Sequence, residues 1–425
     1  TSGSENVFIG SFAGDNISAG IRNVAIGYSA LGAENDHGLN VAIGHQALKN
    51  QDAGTNAYNV AVGYDAGLSV TTGTQNTIIG GLAGDALTSG ANNVAVGYLA
   101  LSTEDTNGHN VAIGRKALQN LDAGVDAYNT AVGSSAGEWI TTGVRNVVIG
   151  GLAGDALSSG GYNVAIGYSA LGTEDTGARS VAIGYAALGL QNYNGDAYNI
   201  AIGYSSGSEI TTGIYNNIIG GLAGDALTTG GFNVAMGYAA LGTEDTGSRN
   251  VAIGHSALTA LNYDGAGYNI AIGYDAGKAV STGTLNTLVG GLAGDALTTG
   301  ASNVAIGFRA LSGEDTGSLN IAIGQDSLIA LNYNGNGYNT SIGYEAGKAV
   351  STGRKNTILG AEAGDALTTG SNNIIIGYTA AASAVDADNE ITLGDSNISL
   401  LRIPGLGSSD GHVLTYSSSS GGIVL

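Results

Sequence analysis

The chain has 425 residues, of which 74 are Gly and only one is Pro, and it contains no Cys. The lack of Cys excludes disulfides, thiolate metal sites and cysteine nucleophiles. Its formal net charge of −21 argues against nucleic acid and anionic membranes as partners. No run of about 18 apolar residues is present, so the sequence predicts no membrane insertion.

A five-residue phrase, Asn-Val-Ala-Ile-Gly and close variants, recurs 23 times on a fixed spacing. Its first residue is Asn except at Ser180 and Glu390, its fourth is always aliphatic, and its fifth is always Gly. Successive phrases lie 17, 17, 19 and 17 residues apart, so that a larger unit of 70 residues, the super-repeat, recurs along the chain. A period this short predicts a solenoid, in which each repeat is one coil that buries its apolar side against its neighbours.

The positions of the phrase are expected to have separate structural roles. The aliphatic residues alternate with the period of a strand, so we expect them to line a continuous core. The intervening Ala and the Gly would form a second, small face that another backbone can approach closely. Asn suits a corner, where its amide bonds nearby backbone or the next Asn along the rod. These structural columns are represented by Asn23, Ile26, Gly27, Asn40, Ile43, Gly44, Asn163, Ile166 and Gly167.

Each super-repeat contains four kinds of coil. The first carries Gly-Gly-Leu-Ala-Gly-Asp-Ala-Leu, as at residues 80–87, which we interpret as a structural turn. The second ends in an acidic loop such as Glu174-Asp175, which we expect to be solvated. The third is two residues longer and is expected to project as a loop, and the fourth ends in a Thr-Thr-Gly or Ser-Thr-Gly turn. A coil of this length fits two short strands and two turns.

The runs NVAIGYSALG, NVAIGHQAL and NIAIGYDAG resemble the head repeats of trimeric autotransporter adhesins. The longer coils with TTG turns resemble more closely the repetitive tail-fibre proteins of bacteriophages, and the resemblance covers about residues 6–400. It implies an all-β, left-handed parallel β-roll of about 23 coils that assembles as a homotrimeric fibre. The small Ala and Gly face, which has no other evident role, points to the same association.

The resemblance also divides the chain. Residues 1–394 form the repetitive rod, and residues 395–425 form a non-repetitive segment. The run ITLGDSNISLLRIPGLGSSDGHVLTYSSSSGGIVL is similar to the stretch that precedes a self-cleaving intramolecular chaperone domain in such fibres, so we expect this segment to lead to a removed domain. Because residues 1–6 match residues 71–76 at the end of a fourth coil, we expect further rod upstream as well.

Acidic loops provide the candidate metal ligands. Glu174, Asp175, Asn194 and Asp196 offer oxygen atoms of the kind that calcium prefers. Solvated loops explain the same residues more simply, so metal content stays open and no other cofactor is expected. The five His residues share no ligand spacing and are interpreted as surface residues: His37, His45, His109, His255 and His412.

Catalysis is not predicted, because every acidic pair recurs with the repeat whereas active sites are single constellations. Tyr193, Tyr263 and Tyr333 lie among Asn, Asp and Gly in the longer loops, and aromatic faces flanked by amides suit sugars. We therefore take them as candidate glycan or receptor contacts, with packing on a neighbouring coil or subunit as the alternative. A second Tyr column is assigned to packing: Tyr58, Tyr128, Tyr198, Tyr268 and Tyr338.

These expectations together predict an extracellular structural or adhesive fibre. The first choice is a viral tail-fibre shaft or receptor-binding fibre on the virion. The second is a trimeric adhesin on a bacterial cell surface. An ice-binding solenoid is a distant third, because ice binders carry Thr ladders on a flat face and the Thr residues here sit in turns.

Overall fold

The computed structural model describes residues 3–398 and two short strands at residues 415–417 and 422–424. The rod consists of 23 three-residue strands, one in each coil, and the described residues contain no helix. The predicted all-β parallel solenoid is thus confirmed, whereas the expectation of two strands per coil is wrong. The strands are β1 Val7–Ile9, β2 Val24–Ile26, β3 Val41–Ile43, β4 Val60–Val62, β5 Thr77–Ile79, β6 Val94–Val96, β7 Val111–Ile113, β8 Thr130–Val132, β9 Val147–Ile149, β10 Val164–Ile166, β11 Val181–Ile183, β12 Ile200–Ile202, β13 Asn217–Ile219, β14 Val234–Met236, β15 Val251–Ile253, β16 Ile270–Ile272, β17 Thr287–Val289, β18 Val304–Ile306, β19 Ile321–Ile323, β20 Thr340–Ile342, β21 Thr357–Leu359, β22 Ile374–Ile376, β23 Ile391–Leu393, β24 Thr415–Ser417 and β25 Gly422–Val424.

Strands β1 to β23 form one parallel sheet in which each strand pairs with the strand of the next coil, residue for residue. Ala165 pairs with Ala182, for example, and Ala182 pairs with Ala201 across a coil that is two residues longer. The extra residues therefore lie outside the sheet and leave its register unchanged. At about 4.8 Å per coil the sheet is roughly 105 Å long. Within residues 3–398 and the two C-terminal strands, no helix has the length and apolar character needed to span a membrane.

The C-terminal segment is described only in part. Strands β24 and β25 pair in antiparallel fashion, in contrast to the parallel rod. The remainder of the predicted chaperone-preceding stretch, from residue 399 onwards, lies outside the described residues, as does His412.

Left-handed backbone corners limit each coil to a single short strand. In the coil that contains β10, Tyr162, Ser169 and Leu171 have φ values of 60°, 52° and 53°. Hydrogen bonding to neighbouring coils continues through these corners, since Leu171 N–H donates to the carbonyl of Ala187 at 3.0 Å. The wall opposite the sheet is thus built from stacked turns, which satisfy their backbone groups between coils without forming strands.

The Gly that ends each phrase is required for two reasons. Gly27 has a φ of 133°, which residues with a side chain rarely adopt. A Cβ atom at this position would also lie 2.2 Å from the carbonyl oxygen of Gly44 in the next coil. The column of Gly residues therefore permits the close stacking of successive coils.

The core contains the small residue of each strand and not the aliphatic ones. Ala165 is fully buried, whereas Val164 and Ile166 on either side of it are partly exposed. The core is completed by residues of the turn wall, such as the fully buried Leu171 and Leu188. The prediction that the aliphatic columns line the core is therefore wrong. Alternation defines the two faces of a strand, but it does not indicate which of the two faces the core.

The inward residues of the strand and of the turn wall vary together in some coils. The second and third coils of a super-repeat pair an inward Ala with a Leu of the turn wall, as with Ala95 and Leu101. In the first coil of a super-repeat the turn position is Gly84, and the inward strand residue becomes Ile78. A Cβ atom on Gly84 would lie 2.9 Å from Cδ1 of Leu87 and 3.4 Å from Cδ1 of Ile78, so these two side chains together fill the space beside Gly84.

The Asn residues form a buried ladder that runs along the rod. Asn163 is fully buried, and its Oδ1 accepts the N–H of Ser180 in the next coil at 2.9 Å. Its Nδ2 donates to the carbonyl of Gly177 at 2.9 Å, while its own N–H donates to Oδ1 of Asn146 at 2.9 Å. The predicted bonding between Asn residues of successive coils is confirmed, with each side chain bonding the backbone of the next.

The one Ser in this ladder is accommodated by a neighbouring amide. At Ser180 the side chain is too short to continue the ladder to Asn199. Gln191 donates from Nε2 to Oγ of Ser180 at 2.9 Å and accepts from Nδ2 of Asn199 at 2.8 Å. The hydroxyl of Ser180 and the side-chain amide of Asn199 are therefore still paired.

Replacing Asn163 with Ala is expected to destabilise its coil by about 2–4 kcal/mol, because two buried backbone groups lose their partners. Amide hydrogen exchange should become roughly 30-fold faster or more in peptides that cover residues 163–180. Asn192→Ala is the matched control, since the side chain of Asn192 is exposed. Equal protection in both variants would contradict a stabilising role for the ladder.

Candidate functional surfaces

The outward residues of the strands form a continuous apolar surface. We define the aliphatic stripe as the second and fourth positions of the phrase, from Val7 and Ile9 to Ile391 and Leu393. Its fourth position is apolar in every coil, and it contains no charged residue. Ile113 in the middle of the rod is 38% exposed. A sheet roughly 105 Å long and about 10 Å wide presents a surface on the order of 1,000 Å². Apolar patches above a few hundred Å² mark interaction sites.

Exposed aromatic rings occupy the positions immediately after the phrase and immediately before it. In the first of these columns Tyr168 stacks on Tyr185, with ring centroids 5.7 Å apart, and Tyr185 stacks on Tyr204 at 5.4 Å. In the second column Tyr198 stacks on Tyr215 at 5.4 Å. Tyr198 belongs to the Tyr column that the sequence assigned to packing, and it remains 43% exposed, so its packing is ring on ring along the surface.

The candidate glycan contacts Tyr193, Tyr263 and Tyr333 are half-buried. Tyr263 and Tyr333 pack against the hydrophobic core. The hydroxyl of Tyr333 also accepts a hydrogen bond from Arg354 at 3.0 Å. Part of each ring is therefore engaged by its own chain, and contact of these residues with a glycan stays a prediction.

The longer loops are tied to the preceding coil. In the third super-repeat Ala178 and Asp196 form an isolated parallel bridge, and the N–H of Ala197 donates to the carbonyl of Ala178 at 3.1 Å. Bridges at equivalent places occur in the next two super-repeats. These contacts hold the loop backbone against the rod and limit how far it projects.

The acidic loops contain a buried carboxylate that the sequence placed in solvent. Glu174 has no exposed surface. Its Oε1 accepts the N–H of Gly177 at 2.8 Å, and its Oε2 accepts from Nε2 of Gln191 at 2.8 Å and from the N–H of Tyr193 at 3.4 Å. Burial raises the pKa of Glu174, while these donors act in the opposite direction. The expectation of a solvated Glu is wrong because the loop folds over the side chain.

The other three candidate metal ligands, Asp175, Asn194 and Asp196, do not share hydrogen-bond partners with Glu174. Asp175 is exposed, and Asn194 accepts from the hydroxyl of Thr176 at 3.1 Å. Asp196 accepts from the guanidinium of Arg179 on the surface. Among residues 3–398, the groups of three His, Asp or Glu ligand atoms within 4.8 Å of one another do not include Glu174, Asp175 or Asp196.

Comparison with known proteins gives no family for this chain. No family model matches it, and no curated protein matches it. The class of protein is defined by the fold itself: the chain is a repeat protein of the parallel β-solenoid type, with an apolar stripe and aromatic columns on its surface.

Replacing Glu174 with Ala is expected to lower the free energy of unfolding by about 2–4 kcal/mol, because buried N–H donors lose their acceptor. Asp175→Ala, one residue further on, removes an exposed carboxylate and should change it by less than about 0.5 kcal/mol. Urea denaturation followed by circular dichroism compares the two. Equal effects would mean that the loop does not cover Glu174 in solution.

Proposed function

We propose that this chain is a shaft segment of an extracellular homotrimeric fibre, with a viral tail fibre as the first choice. The observation that carries the proposal is the aliphatic stripe, an uncharged apolar surface along the whole rod. A chain with a net charge of −21 and an exposed stripe of this length requires a partner that covers the stripe.

A second copy of the same chain is the partner that fits. The stripe presents apolar groups every 4.8 Å or so for about 105 Å, and a partner must match that period throughout. Another copy has the same period, including the longer coils. An area on the order of 1,000 Å² per chain is comparable with the roughly 800 Å² per partner of a stable interface.

The threefold arrangement is supported by the resemblance to adhesin head repeats and by the shape of the surface. Three rods that share an axis direct their stripes inwards and form a closed assembly, which cannot grow sideways. The interface inferred from the sequence, the Ala and Gly face, is excluded because Ala165 and its equivalents are buried in their own core. The aliphatic stripe takes over that role.

Two alternative functions, a bacterial surface adhesin and an ice-binding solenoid, are compatible with a solenoid rod. A bacterial surface adhesin fits the repeats equally well, and the full precursor gene, with or without a membrane anchor, discriminates between the adhesin and the viral fibre. An ice-binding solenoid is less favoured, because the outward strand positions are mainly aliphatic and Thr occurs only in some coils, as at Thr77 and Thr130.

Light scattering is expected to give three times the chain mass of 41.8 kDa, or about 125 kDa. Because the chain has no Cys, a single Ile166→Cys variant places one thiol on the stripe. A short bis-maleimide should then link chains within the assembly. Trp139→Cys is the control, since Trp139 is 58% exposed and lies off the stripe. A wild-type chain that is folded and has a mass of 41.8 kDa would contradict the proposal.

The shaft role predicts that attachment to host cells does not depend on Tyr193, Tyr263 and Tyr333. Changing all three to Ala removes the aromatic faces as well as the hydroxyls, and circular dichroism checks that the rod stays folded. We expect attachment of the variant to stay within about twofold of wild type, as recognition lies elsewhere on the particle. A fall of about tenfold or more would instead support the receptor-binding fibre, with weak loop contacts multiplied along three chains.

A further inference from the structure

A buried Glu recurs at the same place in five super-repeats, and its surroundings differ between them. The Glu column has no exposed surface at any of its members: Glu34, Glu104, Glu174, Glu244 and Glu314. A buried carboxylate needs a donor for each oxygen or a compensating charge. The five Glu residues can thus be compared by the groups that contact their two carboxylate oxygens.

In the third to fifth super-repeats, backbone N–H groups satisfy both oxygens. Oε1 of Glu314 accepts the N–H of Gly317 at 2.7 Å, and Oε2 accepts the N–H of Tyr333 at 3.3 Å. The residue before the Tyr is a neutral amide, Asn332. The same arrangement of Gly, Asn and Tyr surrounds Glu174 and Glu244.

The first super-repeat differs at all three of these places. His37 replaces the Gly, Asp52 replaces the Asn, and Ala53 replaces the Tyr. Oε1 of Glu34 still accepts the N–H of His37 at 3.1 Å, but Oε2 has no hydrogen-bond partner. The buried Nδ1 of His37 also has no hydrogen-bond partner, and it lies 3.8 Å from Oε1 of Glu34. Ligand atoms of Glu34, His37 and Asp52 all lie within 4.8 Å of one another.

We propose that Glu34, His37 and Asp52 bind a divalent first-row metal cation, such as Zn²⁺ or Mn²⁺. Two neighbouring carboxylates repel each other, and a buried oxygen without a partner is unfavourable by about 1–3 kcal/mol. A divalent ion removes both penalties. One imidazole nitrogen with two carboxylates is a ligand set that such ions accept, with water completing the coordination.

The geometry requires only a small contraction of the group. Ligands bind Zn²⁺ at roughly 2.0–2.2 Å, so that neighbouring ligand atoms lie about 3–3.5 Å apart. The observed spread of up to 4.8 Å places all three side chains within reach by rotation. Glu34, His37 and Asp52 lie in the turns between strands, and none of them belongs to the aliphatic stripe.

The second super-repeat provides a comparison within the same chain. Glu104, Asp105 and Asp122 also bring ligand atoms within 4.8 Å, but Asn107 stands where His37 does. Both N–H donors of Asn107, from the backbone and from Nδ2, bond Oε1 of Glu104 at 3.1 and 3.0 Å, while Oε2 of Glu104, like that of Glu34, has no hydrogen-bond partner. With oxygen ligands alone, this group is not expected to retain Zn²⁺ as tightly as the first.

The test uses the full chain, freed of metal with a chelator and titrated with ZnCl₂ at pH 7 by calorimetry. Wild type is expected to bind one Zn²⁺ per chain at its tightest site. His37→Asn and Asp52→Asn should each weaken that site at least about 100-fold, since even the loss of an outer partner of a metal ligand weakens binding 10–100-fold. Both substitutions are used by the chain at equivalent positions, so the fold is expected to tolerate them.

His45→Asn is the matched control. His45 is a surface His whose Nδ1 lies 3.1 Å from a carboxylate oxygen of Asp65, so it offers similar ligands outside the Glu column. Its replacement should leave the tight site unchanged. Zn²⁺ should also raise the melting temperature of wild type and of His45→Asn, but not that of Asp52→Asn.

Three results would overturn the proposal. The first is the lack of Zn²⁺ or Mn²⁺ binding by the metal-free wild type, which would mean that Glu34 is neutralised by a proton, a state that burial favours by raising its pKa. The second is unchanged binding in both His37→Asn and Asp52→Asn. The third is loss of the tight site in His45→Asn, which would assign it to the surface His and Asp pair.

Discussion

The stacking of each coil directly on the next, at the spacing of a parallel sheet, is the constraint on which the rest of this structure depends. It excludes a Cβ atom wherever two backbones meet, as at Gly27 over Gly44, and it brings each Asn beside the backbone of the following coil. The buried Asn ladder then pairs groups that would otherwise have no partner. Repetition follows from this geometry, because a coil of different shape would break the contacts on both sides.

Narrow coils determine which face of the sheet is available for association. The inward residue of the strands is mostly Ala, and the aliphatic residues on either side of it are directed outwards. The surface that results is too long and too apolar to suit a single rod in water. The same packing that closes the core of one chain therefore supports the proposed association of several.

Positions that depart from the repeat are the candidates for ligand binding in this chain. The stacked columns are nearly uniform, whereas the surroundings of the buried Glu change from His37 and Asp52 in the first super-repeat to Gly177 and Asn192 in the third. The uniform part of the rod serves as a scaffold. Where a charged or metal-ligating residue replaces a residue that elsewhere supplies a hydrogen bond to the buried Glu, the carboxylate needs another partner. Glu34 shows this most clearly, since its Oε2 has no hydrogen-bond partner and the likewise unpartnered Nδ1 of His37 lies 3.8 Å from its Oε1.

The sequence by itself determined the solenoid, its 23 coils and the register of its sheet, because Asn, Gly and alternation recur at intervals that only stacked coils satisfy. It also predicted the bonding of Asn residues along the rod. Only the tertiary structure decided that Ala165 faces the core and Ile166 faces outwards, since alternation is symmetric with respect to the two faces. The burial of Glu174 was likewise decided by the way its loop folds back, because an acidic residue in a loop carries no local signal of the backbone donors that will surround it.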